Sequence, residues 1–209
     1  MFAWLFVGWG CAPATPGLPS TPGVRTVVDT TYYDAEAFTR GQWLASMRVA
    51  APRAGVRVPY LAHTTWQTRW AYGTPRTTAL GCEPRIPVIE VTVHYTMPRL
   101  TSDSGVALED MLEWRRHAAS LWQHEEGHGL RALRAATEMR DSLARLRAPN
   151  CAALPGTVSR AMNAVMAKYQ ALQDAYDART RHGARQGAVL ILSQGLRLPL
   201  DTTYRDTTP

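Results

Sequence analysis

The chain has 209 residues, 45% of them hydrophobic, with a mean hydropathy of −0.23 and a formal net charge of +6. That balance excludes a disordered chain and leaves enough length for one domain with its own core. The positive charge is nearly all arginine, with Lys168 the only lysine. Arg115, Arg116, Arg131, Arg134, Arg140, Arg145 and Arg147 are spread among Glu and Asp along one helical stretch. This is the pattern of a solvated helix face, and it argues against nucleic acid as a partner.

Residues 1–23 begin with an apolar run, Met1 to Gly10, followed by Cys11 and a Pro/Gly-rich tether. The run resembles the tail of an export signal, and Gly10-Cys11 resembles a lipoprotein cleavage site. The expectation is an extracytoplasmic protein, either released or held at the membrane through a lipidated Cys11. No apolar stretch reaches the roughly 18 residues that a membrane-spanning helix needs. With Cys11 set aside, Cys82 and Cys151 form an even pair, which in an exported protein predicts a disulfide rather than two buried thiols.

Residues 24–183 read as one α+β domain. Val24 to Asp34 is β-branched and aromatic, a first strand. A short helix follows from near Ala37 to Val49, with Phe38, Trp43, Leu44 and Met47 on one side, and a turn-rich break covers Pro52 to Val58. Thr64 to Tyr72 and Val88 to Met97 alternate as strands of an antiparallel sheet with one wet side. Ile89, Val91, Val93, Tyr95 and Met97 share the inner face of the second. His63 and His94, on or beside these strands, read as polar surface residues. A long helix follows Ser104-Gly105 and stops by Pro149; a second runs from about Thr157 to Thr180 and ends at Gly183. Residues 184–209 hold one apolar run, Ala188 to Leu192, and a polar tail expected to be partly disordered.

The long helix carries His124-Glu125-Glu126-Gly127-His128. Residues four apart share a helix face, so His124 and His128 can aim two imidazoles at one ion, with Glu125 beside them as general base. Zinc hydrolysis needs a third protein ligand. Glu138 and Asp141 are too far along the same helix. A short connection makes the two helices antiparallel neighbours, and reflection about a turn near Ala152 or Ala153 brings residues 177–181 level with 124–128. His182 is the favoured third ligand and Asp177 a carboxylate orienting an imidazole, with the reverse assignment open. Tyr176 reads as core, with a weaker case for an oxyanion donor. His117, two turns before His124, reads as a partly exposed polar residue.

These segments resemble a bacterial family of predicted secreted zinc-dependent proteases, described as a domain of unknown function. The resemblance rests on His124 to His128 and on Tyr176-Asp177-Ala178-Arg179-Thr180-Arg181-His182-Gly183. Tyr32-Tyr33, the Trp66 to Tyr72 strand, Cys82 before the Val88 to Pro98 strand, and Cys151 also match, so that it covers about residues 25 to 183. Arg131 and Arg134 stand where metzincins carry Gly and His. The resemblance implies a zinc-dependent peptidase-like domain with Glu125 as catalytic base. The reading is an α+β domain: a small antiparallel sheet with one short helix, packed on a long helical hairpin with a zincin-like site. One Zn2+ would be held by His124, His128 and His182, and the substrate would be a peptide or protein. The alternative is a zinc-binding or structural envelope protein without turnover.

Overall fold

The computed structural model describes residues 18–36, 39–101, 105–193 and 196–197. Cys11 and the apolar run before it lie outside the described residues, as do Phe38 and the tail from residue 198. The elements in chain order are β1 (Val24–Ala35), α1 (Arg40–Arg53), β2 (His63–Thr78), β3 (Gly81–Leu100), α2 (Leu108–Arg145) and α3 (Leu154–Thr180). A 3-10 turn (Ala184–Gln186) and two short strands, β4 (Ile191–Ser193) and β5 (Leu196–Arg197), follow. The fold is α+β, and among the described residues no helix is long and apolar enough to cross a membrane.

β1, β3 and β2 form a sheet in that order, but it is mixed rather than antiparallel throughout. β2 and β3 are joined by a tight turn, so they run antiparallel, with His63 opposite Thr96. β1 reaches the other edge of β3 only through α1 and β2, a crossover long enough to bring it in parallel, with Val24 opposite Ile89. The alternation expected on β3 is present: Ile89, Val91, Val93, Tyr95 and Met97 are buried. α2 crosses that apolar face, and Trp122 meets Tyr95 edge-on at 5.4 Å. α1 begins three residues after the expected Ala37, behind a capping box between Thr39 and Gln42, and runs on past Val49 through Pro52 to Arg53. Trp43 of α1 packs against Trp114 of α2 at 5.5 Å.

α2 is 38 residues long, about 57 Å of helix. It ends before Pro149 because Ala148 leaves the helix to exchange two 2.8 Å backbone hydrogen bonds with Cys82. Residues that precede proline favour this extended conformation. Gly81 permits the approach: a Cβ there would lie 2.2 Å from the Ala148 carbonyl oxygen. The same contact brings Cys82 and Cys151 into a disulfide that closes 69 residues of chain. In the chain-entropy description a loop of that length stabilises by about 4 kcal/mol. α3 then starts at Leu154, with Pro155 in its first turn, where a missing N–H costs nothing.

His94 stays at the surface against Asp29, at 3.1 Å. His117 does not. It is wholly buried beside Trp114, and neither ring nitrogen meets a hydrogen-bonding group among the described residues. Its position on the core-facing stripe of α2 outweighed its polarity. Burial pushes its pKa down from 6.5 to about 4, with the positive charge of Arg116 acting in the same direction. Between those values the unfolded chain binds a proton that the folded chain refuses, so stability falls as pH drops. The loss is complete below about 4 and amounts to about 3 kcal/mol. Urea melts of wild type and His117→Leu between pH 7 and pH 4 should therefore diverge, the variant losing less. Parallel curves would refute the assignment.

Candidate metal centre

α2 places His124 and His128 one turn apart, with ring planes at 84° and Nε2 atoms 3.4 Å from each other. α3 returns antiparallel and delivers Asp177 between them. Its Oδ1 lies 3.2 Å from His124 Nε2 and 3.0 Å from His128 Nε2. The three donor atoms fall within 4.8 Å of one another and could hold a metal ion. Two imidazole nitrogens and one carboxylate oxygen are a donor set that suits a hydrolytic metal site.

The outer nitrogens of both rings are held as well. His128 Nδ1 is 2.6 Å from Gln173 Oε1, and His124 Nδ1 is 3.0 Å from Gln186 Oε1. An amide oxygen only accepts, so each Nδ1 carries a proton, and each Nε2, which here faces Asp177, would present its lone pair to an ion at the centre. Tyr176 stacks on His124 with ring centroids 5.1 Å apart, and its hydroxyl donates to the His124 carbonyl at 3.2 Å. That places Tyr176 in the packing, its hydroxyl spent on the helix. Gly127 is the reason it fits, since a Cβ there would meet the Tyr176 hydroxyl at 2.1 Å. A glycine inside a helix costs about 1 kcal/mol relative to alanine; here it makes room for the tyrosine.

The charges are arranged around Asp177. Burial works against its ionisation, but hydrogen bonds from His124 and His128 outweigh it and hold the carboxyl well below the usual range. For His128 burial again opposes the charged form, yet the bond and charge of Asp177 raise its pKa. Glu125, 4% exposed, behaves in the opposite way: burial raises its pKa, and the hydrogen bond from Thr64 Oγ1 to Oε2, 2.6 Å, offsets only part. The site opens into a cleft of about 850 Å³. β2 lines it with His63, Thr64 and Trp66, α3 with Gln173, Asp174 and Asp177, and Tyr60 and His182 stand on its other walls.

The order of preference drawn from sequence, His182 before Asp177, is reversed in this geometry. Asp177 occupies the triangle, while His182 Nδ1 stands 3.6 Å from the Asp177 carboxylate and its Nε2 bonds the Tyr60 hydroxyl at 3.1 Å. Five residues past Asp177, His182 would fall about 140° around a continued helix, and α3 has already ended at Thr180, where Arg181, His182 and Gly183 follow with positive φ of 50°, 48° and 80°. His63, expected on the surface, is half-buried in the cleft wall, and burial followed by the charge of His128 keeps its pKa low. Gln173, one turn before Asp177 on the same stripe, was open to detection by the reflection that located Asp177. Gln186 had no such signal, because it follows the helix stop.

Comparison with known proteins finds one family model, described as "Bacterial protein of unknown function (DUF922)", which matches residues 30–183. No curated protein and no solved structure matches.

Proposed function

The chain belongs to this bacterial family of unknown function, and from the site we propose that it is a zinc-dependent endopeptidase-type hydrolase of the cell envelope. The observation that supports the reading is the convergence of His124, His128 and Asp177 on one point, beside the buried Glu125, at the floor of an open cleft. Those three residues would hold the ion. Zinc so held supplies a Lewis acid that polarises a carbonyl and brings the pKa of a water to roughly 7.

Glu125 does the proton work. Thr64 engages Oε2, which leaves the carboxylate one oxygen for a water. Its raised pKa makes it a better base than an exposed glutamate. As the water oxygen bonds to the peptide carbon, Glu125 takes the proton; as the C–N bond breaks, it delivers that proton to the leaving amine. The Cys82–Cys151 disulfide accords with an oxidising compartment outside the cytoplasm.

Protein dialysed against metal-free buffer and then titrated with zinc should bind one ion per chain. Cleavage of a peptide library should stop with chelator and return with zinc. Binding without cleavage of any peptide would leave a metal-binding protein and refute the hydrolase; failure to bind zinc would remove the whole reading.

A further inference from the structure

The residues after Gly183 lie outside the span matched by the family, yet they are tied tightly to α2. Arg116 Nη1 donates to the Gly187 carbonyl at 2.7 Å, and Nη2 donates to the Val189 carbonyl. The same guanidinium is paired with Glu113 at 2.7 and 2.8 Å, and the buried Glu113 accepts the Ile191 N–H at 2.7 Å. Alternate backbone groups at 187, 189 and 191 are thus pinned by one ion pair on the half of α2 that precedes the histidines. Ala188 and Leu190, between the pinned positions, are buried in the core. The segment is a strap, and its fixed course decides where Gln186 sits.

Gln186 is wedged between two groups of the site. Its Oε1 accepts from His124 Nδ1 at 3.0 Å, and its Nε2 donates to the Tyr176 hydroxyl at 3.1 Å. We propose that the strap is a working part of the metal centre, with Gln186 as the positioning residue that keeps His124 in the tautomer and orientation that present Nε2 to a zinc ion. The inference rests on the reading of His124, His128 and Asp177 as zinc ligands. It adds that affinity for the ion depends on a residue beyond the family span. Gln173 does the same for His128 from within that span. Outer partners of this kind are worth about 10–100-fold in metal affinity.

The test is a zinc dissociation constant, measured by competition with a chromophoric chelator, for the full chain and two variants. Gln186→Leu keeps the volume and removes the acceptor; its zinc binding should weaken about 10–100-fold. Gln186→Glu restores an acceptor for Nδ1–H and should bind within a few-fold of wild type. Wild-type affinity in Gln186→Leu overturns the proposal, and so does equal weakening in both variants, which would reduce the role to packing. Should Gln186→Leu fail to fold, Arg116→Lys takes its place: it keeps the charge but cannot fork to both strap carbonyls. Weaker zinc binding there supports the strap, and unchanged binding overturns it. A wild-type chain that binds no zinc removes the metal reading itself, an outcome distinct from the others.

Discussion

Glu125→Gln is expected to keep its zinc and to lose peptide hydrolysis by about 10²- to 10⁴-fold, the contribution of a positioned proton-transfer group. The substitution preserves shape, and the amide can still meet the Thr64 hydroxyl that now bonds Oε2 at 2.6 Å. What it loses is basicity. In wild type, burial holds the Glu125 pKa above its ordinary value, and the charges of His124 and His128 pull it only part of the way back. Glu125 is not among the three donors that converge on the centre, so ion content should be insensitive to the change. Parallel zinc titrations and peptide-cleavage assays check both halves. Equal cleavage by variant and wild type would sink the general-base role, and a variant without zinc would make Glu125 part of the ion's support instead.

The second large effect separates Asp177 from His182. Asp177→Asn should weaken zinc binding by more than about 100-fold, beyond what an outer partner provides, because it removes the anionic donor that both Nε2 atoms face at 3.0 and 3.2 Å. His182→Asn should leave zinc binding within a few-fold, since its ring is held to Tyr60 and stands 3.6 Å from the Asp177 carboxylate, outside the three converging donors. Both dissociation constants come from the same competition titration. The opposite result, zinc lost in His182→Asn and retained in Asp177→Asn, would restore the assignment first made from sequence. The pair is informative because the two residues are five apart and both are polar, so general destabilisation affects them alike. Only the ligand identity predicts a difference of this size.

Much of the architecture was legible because it is written locally. A four-residue spacing puts His124 and His128 on one face whatever the rest of the chain does, and a two-residue period sorts Ile89 to Met97 into the core. Helix rise is constant, so counting back from a turn at Ala152 and Ala153 was enough to bring Asp177 opposite His128. The pairing of Cys82 with Cys151 followed once Cys11, the third cysteine, was set aside as part of the export signal. Wherever one helical or strand repeat carried the information, the residues alone determined the outcome.

The remaining features were decided by dihedrals and partners distant in sequence. β1 runs parallel because of where its crossover returns, and no period within Val24 to Ala35 records that. His117 was buried by the stripe it occupies, against the preference of its own side chain. Asp177 faces the two imidazoles from the last turn of α3, while His182 lies past the helix stop, where the chain runs through successive positive φ angles. Gln186 meets His124 across 62 residues because Arg116 and Glu113 pin the strap that carries it. Periodicity thus determined which residues could share a face; long-range contacts, which alone set backbone direction beyond a helix stop, decided which of them meet at the centre.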